Sequence, residues 1–301
     1  MQIIGKTKFD FIGKRKISFT ISSIIAIIGI VAIVQISRGA TNMGIDFTGG
    51  TALQLKFEKP IALQDARKAL SREGMEVSLQ EITDGNKLLI KVGKTTLATG
   101  VVAETVENVF KKEFTANPFI VESSTEIGPS IGEKLRKDTL VAIVVAMFGI
   151  ILYIAWRFDL KFGIAAALAT FHDVLAILAI FYILDKEVNL LLITAVLTIA
   201  GYSLTDTVVV FDRIRENMHK NMKESLATVF NLSINEVLSR TIITALTTLL
   251  AALSLFLFGG EVIHDFSFAL VVGILVGTYS SIFVASPLVV LWENRALRNK
   301  V

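Results

Sequence analysis

Cysteine is absent from the 301 residues. That excludes disulfides, thiolate catalysis and cysteine-based metal sites together. Histidine is scarce: His172, His219 and His264 lie in distant segments without metal-ligand spacing. Charge is sparse, at 19% of residues, and nearly balanced, with a formal net charge of +3. So small and scattered an excess gives no argument for nucleic-acid binding. Catalytic signatures are scarce as well. H-E-x-x-H does not occur, G-x-S-x-G matches only Gly128-Pro129-Ser130-Ile131-Gly132, and no carboxylates pair at a recognisable spacing. Nothing positive supports an enzyme, and no cofactor or metal is expected.

What the chain has is apolar length. Hydrophobic residues make up 53% of it, and they are gathered in blocks, the mark of an integral membrane protein. Six blocks approach or exceed the roughly 20 residues a spanning helix needs: Ile17–Ile36, Thr139–Trp156, Phe162–Leu184, Leu190–Phe211, Thr241–Phe258 and Phe266–Trp292. The last is long, and a tilt or a bend near Pro287 is expected. The first follows basic residues, as a signal peptide would. It is longer than the usual apolar region of a signal and ends QISRGATNM, so we read it as a retained span. Residues 1–16 are then an N-terminal arm, 139–292 hold spans two to six, and 293–301 form a tail.

Basic residues mark the side of each short flank. Lys6, Lys8, Lys14, Arg15 and Lys16, then Arg157 and Lys161, then the loop through Arg240, then the tail, share one side, while Lys186 stands alone on the other. Both termini are expected to be cytoplasmic. Segment 37–138 is then outside, and its charges nearly cancel. It reads as a folded domain. Thr51–Glu58 alternates as a strand, Ala62–Glu73 is helical and stops at Gly74, and Glu76–Thr83 is a strand. Asp84-Gly85-Asn86 is a hairpin turn, Lys87–Val92 the returning strand, Leu97–Phe114 a helix and Phe119–Ser124 a last strand. The order β-α-β-β-α-β is the ferredoxin-like split pattern. The expected fold is thus an α-helical membrane protein of six transmembrane helices with one extracytoplasmic ferredoxin-like α+β domain between the first and second.

Asp206 lies inside the fourth apolar run, about 9 Å or six residues short of the interfacial stop at Asp212. A carboxylate at that depth costs about 2.5–3.5 kcal/mol on insertion scales, and its default reading is an ion or proton relay. Its neighbours Thr198, Tyr202, Ser203, Thr205 and Thr207 are polar for a span. Arg240 opens the fifth span. It is either a flank charge of the ordinary kind or a partner reaching inward to Asp206. His172-Asp173 in the third span either packs in a hydrogen bond to a neighbouring helix or faces a wet or protein-lined side. We take His172, Asp173, Ser203 and Thr205 as residues supporting the relay. Gly273, Gly277 and Ser281 repeat at four-residue spacing, a smooth face for helix packing, and Ala200 and Gly201 are read the same way. In GIDFTGG, Gly44, Asp46, Gly49 and Gly50 supply turn geometries with positive φ. A phosphate cradle would have a helix after it. Here a strand follows, so the motif is read as a joint between span and domain.

GIDFTGG after a first span, EIGPSIGEKLR before a second and GYSLTDTVVVFDRIREN ending a fourth together resemble the SecF family, the smaller membrane partners in the SecD–SecF complexes of bacterial protein secretion. The likeness covers nearly the whole chain. It implies membership of the resistance-nodulation-division transporters, which couple ion flow to movements of outer domains. It implies work beside the SecYEG channel and the SecA motor on an exported, unfolded polypeptide, driven by a proton or sodium gradient. It maps an intramembrane relay aspartate onto Asp206 and its arginine onto Arg240. Thr205 stands where the family commonly has asparagine, which keeps a hydrogen-bonding side chain. Fused relatives carry twelve spans, so six imply a separate SecD. The expected partners are SecD, SecYEG, SecA, the exported polypeptide and membrane lipid, with no nucleic acid. An ion-coupled small-molecule exporter of the same superfamily and a passive assembly scaffold are the competing readings.

Overall fold

The computed structural model describes residues 7–75, 77–82, 86–93 and 101–298. The chain divides into two compact units, Met1–Asn42 with Ala142–Val301, and Met43–Val141.

The first unit is helical. Its elements are α1 (Arg15–Ser37), the second half of α5 (Pro129–Arg157), α6 (Leu160–Ile183), α7 (Leu190–Lys220), α8 (Leu226–Phe258), α9 (Glu261–Ser280) and α10 (Ser286–Arg298). Among the described residues six helices, α9 and α10 counted as one, are long and apolar enough to cross a membrane. Three of them overrun their predicted limits by nine residues or more. α5 begins ten residues early because Gly128 and Pro129 start a helix well: the Gly128 carbonyl accepts from the Ile131 and Gly132 amides, and proline is preset for the first turn. α8 begins at Leu226 rather than Thr241. Its first turns are amphipathic, burying Val229, Phe230, Ser233, Ile234 and Leu238 along one stripe. α7 continues past Phe211 and pairs with that stripe, Asn217 donating to Ser233 at 3.1 Å and to Glu236 at 2.7 Å. A search for unbroken apolar length misses such segments, because they are half polar.

Near Pro287 the helix does not break. It widens into a π-helical turn, Ser281–Ala285, just ahead of the proline. Proline offers no N–H to the carbonyl four residues back and crowds it, and a wider turn relieves the conflict. Ser286 Oγ follows the wide turn, donating to the Ser281 carbonyl at 3.0 Å. Around it lies the main core, including Phe158, Phe162, Phe211, Phe230 and Val289. The N-terminal arm is tied to α8. Asn231 Oδ1 accepts the amides of Phe11 and Ile12 at 2.9 and 3.0 Å, and Asn235 exchanges two hydrogen bonds with the Phe9 backbone. At the far end of α6, the turn to α7 holds Asp185 at φ 49°, Asn189 caps α7, and Lys186 meets Asp265 at 2.5 Å.

The second unit carries α2 (Ile45–Thr48), β1 (Gly50–Phe57), α3 (Leu63–Arg72), β2 (Val77–Ile82), β3 (Lys87–Val92), α4 (Val101–Glu113), β4 (Phe119–Ile127) and the start of α5. The sheet runs β2-β3-β1-β4, each neighbouring pair antiparallel, which is the ferredoxin-like order for this succession of elements. Leu53, Leu55 and Phe57 of β1 and Leu88, Ile90 and Val92 of β3 alternate onto one face. Ala66, Ala69 and Leu70 of α3 and Val106 and Phe110 of α4 cover that face. The other face is polar. A bulge where Gln54 pairs with Ser123 and Leu55 with Val121 leaves Glu122 over, and Glu122 takes Lys87 at 2.8 Å and Gln54 at 2.9 Å. Asp84 and Gly85 of the predicted turn, and the predicted start of α4 at Leu97, lie outside the described residues.

Candidate functional site

The polar residues of the helical unit gather on the facing sides of α6, α7 and α9. Asp173 on α6 is fully buried. Its Oδ2 accepts from Ser203 of α7 at 2.5 Å and from Ser280, the last residue of α9, at 2.9 Å. Its Oδ1 lies 3.2 Å from Nδ1 of the adjacent His172. One turn along α7, Thr207 shares a 2.8 Å hydrogen bond with Ser281 of the π turn. Close approach of the helices makes this possible. A Cβ on Gly277 would stand 2.9 Å from Ser203 Cβ, and one on Gly273 would stand 2.5 Å from Ile199. His172 packs toward Tyr279, ring centroids 6.4 Å apart. The Tyr279 hydroxyl donates to the Ser18 carbonyl of α1 at 3.0 Å.

Asp206 is also buried, 8% exposed, but points elsewhere. It faces α8, where the Thr241 hydroxyl and the Arg240 charge bear on it. The Thr241 hydroxyl and Asp206 Oδ2 are both buried without a hydrogen-bond partner among the described residues. Arg240 itself is exposed. Among the described residues it makes no ion pair within 4.0 Å of Asp206 and acts on it through space.

The residues anticipated around the relay therefore separate. Ser203, Asp173 and His172 form one hydrogen-bonded set, while Asp206 of α7 and Arg240 of α8 stand apart from it, linked only by charge. Thr205 joins neither: it is exposed and its hydroxyl bonds back to the Gly201 carbonyl at 3.1 Å. It sits one residue from Asp206, and adjacent helical residues point about 100° apart. Sequence reasoning does not single out Ser280 and Ser281 as members of the site. The Gly273-Gly277-Ser281 repeat reads as packing alone, and the signal available is two hydroxyls in succession at the end of a close-packed face. Gly201 is exposed, and no atom of the described residues lies within 4 Å of the place a methyl group would take there, so it serves no close approach among them. Among the described residues no three His, Asp or Glu side chains gather as metal ligands.

In the second unit, Gly44 caps α2, Asp46 lies in its first turn, and Gly49 ends it at φ 73°. Gly50 starts β1 at φ 141°, where a Cβ would meet the Val92 carbonyl at 2.4 Å. Gly132 of α5 packs on the Gly49 amide, its Cβ position 2.9 Å away. The two glycine motifs thus hold the two ends of the domain together, which is architecture.

Known proteins share this architecture. The family described as protein export membrane protein SecD/SecF, C-terminal, matches residues 105–295, and the SecD/SecF GG motif matches residues 41–61. The chain is 54% identical to the protein translocase subunit SecF of Thermodesulfovibrio yellowstonii, covering 99% of each chain. It is 43% identical to that of Calditerrivibrio nitroreducens, over 97% of this chain and 96% of the other. It resembles the crystal structure of SecDF, a translocon-associated membrane protein of Thermus thermophilus, with a TM-score of 0.84 and 37% identity, covering 96% of this chain and 39% of that one. A family match spanning more than half its length and relatives aligned end to end place the chain in the SecF family of protein export membrane proteins.

Proposed function

We propose that the chain is the accessory subunit of a bacterial Sec protein translocase that uses a proton or sodium gradient to assist export and release of polypeptides. It would lie in the cytoplasmic membrane with both termini inside, its domain outside, and no catalytic step of its own. The observation that carries the reading is the buried, unpartnered Oδ2 of Asp206 in a membrane-length helix. A carboxylate left incomplete at depth is a place for a cation to arrive and leave. Arg240, exposed on α8 beside it, is poised to pair with it in a second state, and such exchange between environments is how a relay turns over. Moving one charge through 100 mV releases about 2.3 kcal/mol, enough for a few ions to bias a domain with two poses.

SecD is the expected partner, and this chain spans about two fifths of the SecDF chain it resembles. SecYEG, SecA and the emerging polypeptide complete the assembly. The test is Asp206→Asn in vesicles reconstituted with the whole translocase. Gradient-dependent export should fall at least about tenfold, a rise of about 1.4 kcal/mol or more in the effective barrier, with the complex still assembled. Export at the parent rate would refute the relay.

A further inference from the structure

Asp173 and His172 are both deep in the helical unit, 0% and 6% exposed. Of their four polar side-chain atoms, three are engaged. Oδ2 of Asp173 takes the Ser203 and Ser280 hydroxyls, and Oδ1 faces Nδ1 of His172. The fourth, His172 Nε2, is buried with no hydrogen-bond partner among the described residues. We propose that His172 and Asp173 form a proton-binding site of their own, separate from Asp206, which takes up its proton at His172 Nε2.

The physical argument is one of charge. With Asp173 ionised and His172 neutral, the pair carries −1 in a place where an uncompensated charge is strongly penalised. One proton entering on Nε2 forms one N–H bond and makes the pair an imidazolium beside a carboxylate, net zero. Release breaks that bond and restores −1. The open atom is a nitrogen, whereas hard cations seek several oxygens, so the site selects a proton over an alkali ion. The groups that face it from each packed element are few. α7 brings Ser203, with Asp206 three residues further on. α9 brings Ser280 and Tyr279, and α1 brings the Ser18 carbonyl and the Ser22 hydroxyl, both engaged by Tyr279. The two serines bound to Asp173 come from different helices, so the charge on the pair sets how firmly α6 holds α7 and α9. Ser280 already has a second acceptor, the Gly277 carbonyl at 3.1 Å, and it adjoins the π turn, a feature frequent at functional sites. The proposal rests on the ion-coupled reading above and supplies its ion.

The experiment uses the full chain in complex with its SecD partner in lipid, in a His219→Gln, His264→Gln background that leaves His172 as the chain's sole imidazole, with only this chain nitrogen-15 labelled on histidine. The imidazole nitrogen resonances are followed over about pH 5 to 8, the range in which histidine ordinarily titrates. The expected result is protonation of Nε2 within that range and its displacement in Asp173→Asn. A His172 that stays neutral with one tautomer throughout overturns the site, as does a titration indifferent to Asp173→Asn. Export in vesicles separates this from the parent reading. If Asp206→Asn abolishes gradient-dependent export while His172→Gln and Asp173→Asn retain it, this site falls and the relay stands. If Asp206→Asn exports normally, the relay falls, and the resonances alone judge the site. If a substituted chain fails to assemble, the titration of His172 with Asp173 intact decides.

Discussion

Gly277 and Gly201 differ by one contact, and that difference sets opposite outcomes. A methyl group on Gly277 would press on Ser203, 2.9 Å from its Cβ and 3.0 Å from its Oγ. Ser203 would then leave Asp173, and a buried carboxylate would lose one of its donors. Gly277→Ala should destabilise the helical unit by about 1–3 kcal/mol, through overpacking and the lost bond. Gly201→Ala has open space around it and should be neutral or stabilising by up to about 1 kcal/mol. Unfolding of the two variants in mild detergent checks the pair. Glu122 carries a second prediction. The Lys87 ammonium bonded to it, opposed in part by its desolvation and aided by Lys56 and Gln54, holds its carboxyl below the usual range. A folded-state value below the unfolded one stabilises the domain above the unfolded value and loses that contribution as pH falls through the folded one. Amide protection of β1, β3 and β4 should therefore weaken on the acid side, below about pH 4.3, and Glu122→Gln should flatten that dependence.

Helix ends and half-polar extensions are where the elements depart from a reading by apolar length. α7 and α8 each carry several turns beyond the apolar block, and these turns build a polar clasp with the N-terminal arm. Asn231 is its centre: its Oδ1 holds the amides of Phe11 and Ile12, and its Nδ2 donates to Asp10 at 2.7 Å. Asn231→Ala should free the arm, at about 1–2 kcal/mol for the partly buried amides left behind. Hydrogen exchange at residues 7–14 should rise while exchange in the middle of α6 stays unchanged. The strands are easier to read, because alternation is local: Lys87–Val92 is found at its predicted limits. The fold class follows from the same kind of signal, apolar length for the spans and order of elements for the sheet. The π turn is not legible, since Pro287 announces a conflict with its helix but not how the helix resolves it.

In the whole molecule, two buried carboxylates occupy different surroundings in one bundle. Asp173 is enclosed by hydroxyls from two other helices, and Asp206 is left incomplete beside α8. If Asp206 is the point where the gradient enters, then removing its charge and collapsing the gradient act on the same step. Their effects on export should not add: Asp206→Asn vesicles should show little further loss when the gradient is dissipated, whereas parent vesicles should drop to the same level. Additive losses, measured in the same vesicle assay, would separate the residue from the coupling.

The apolar runs, the sheet alternation and the place of Asp206 within its run are legible in the chain alone, because each depends on residues adjacent in sequence. Gly49 and Gly50 take the positive φ that GIDFTGG predicts, whereas Gly44 lies at φ −65° and Asp46 in the first turn of α2. What required the folded molecule was facing. Thr205 and Ser203 both look like polar neighbours of Asp206 in the sequence, yet Thr205 turns outward and Ser203 belongs to Asp173. Ser280 and Ser281 look like packing surface, yet they complete the polar set. The rotation of each helix about its own axis is chosen by how ridges from distant segments interlock, and no local stretch of sequence contains that choice.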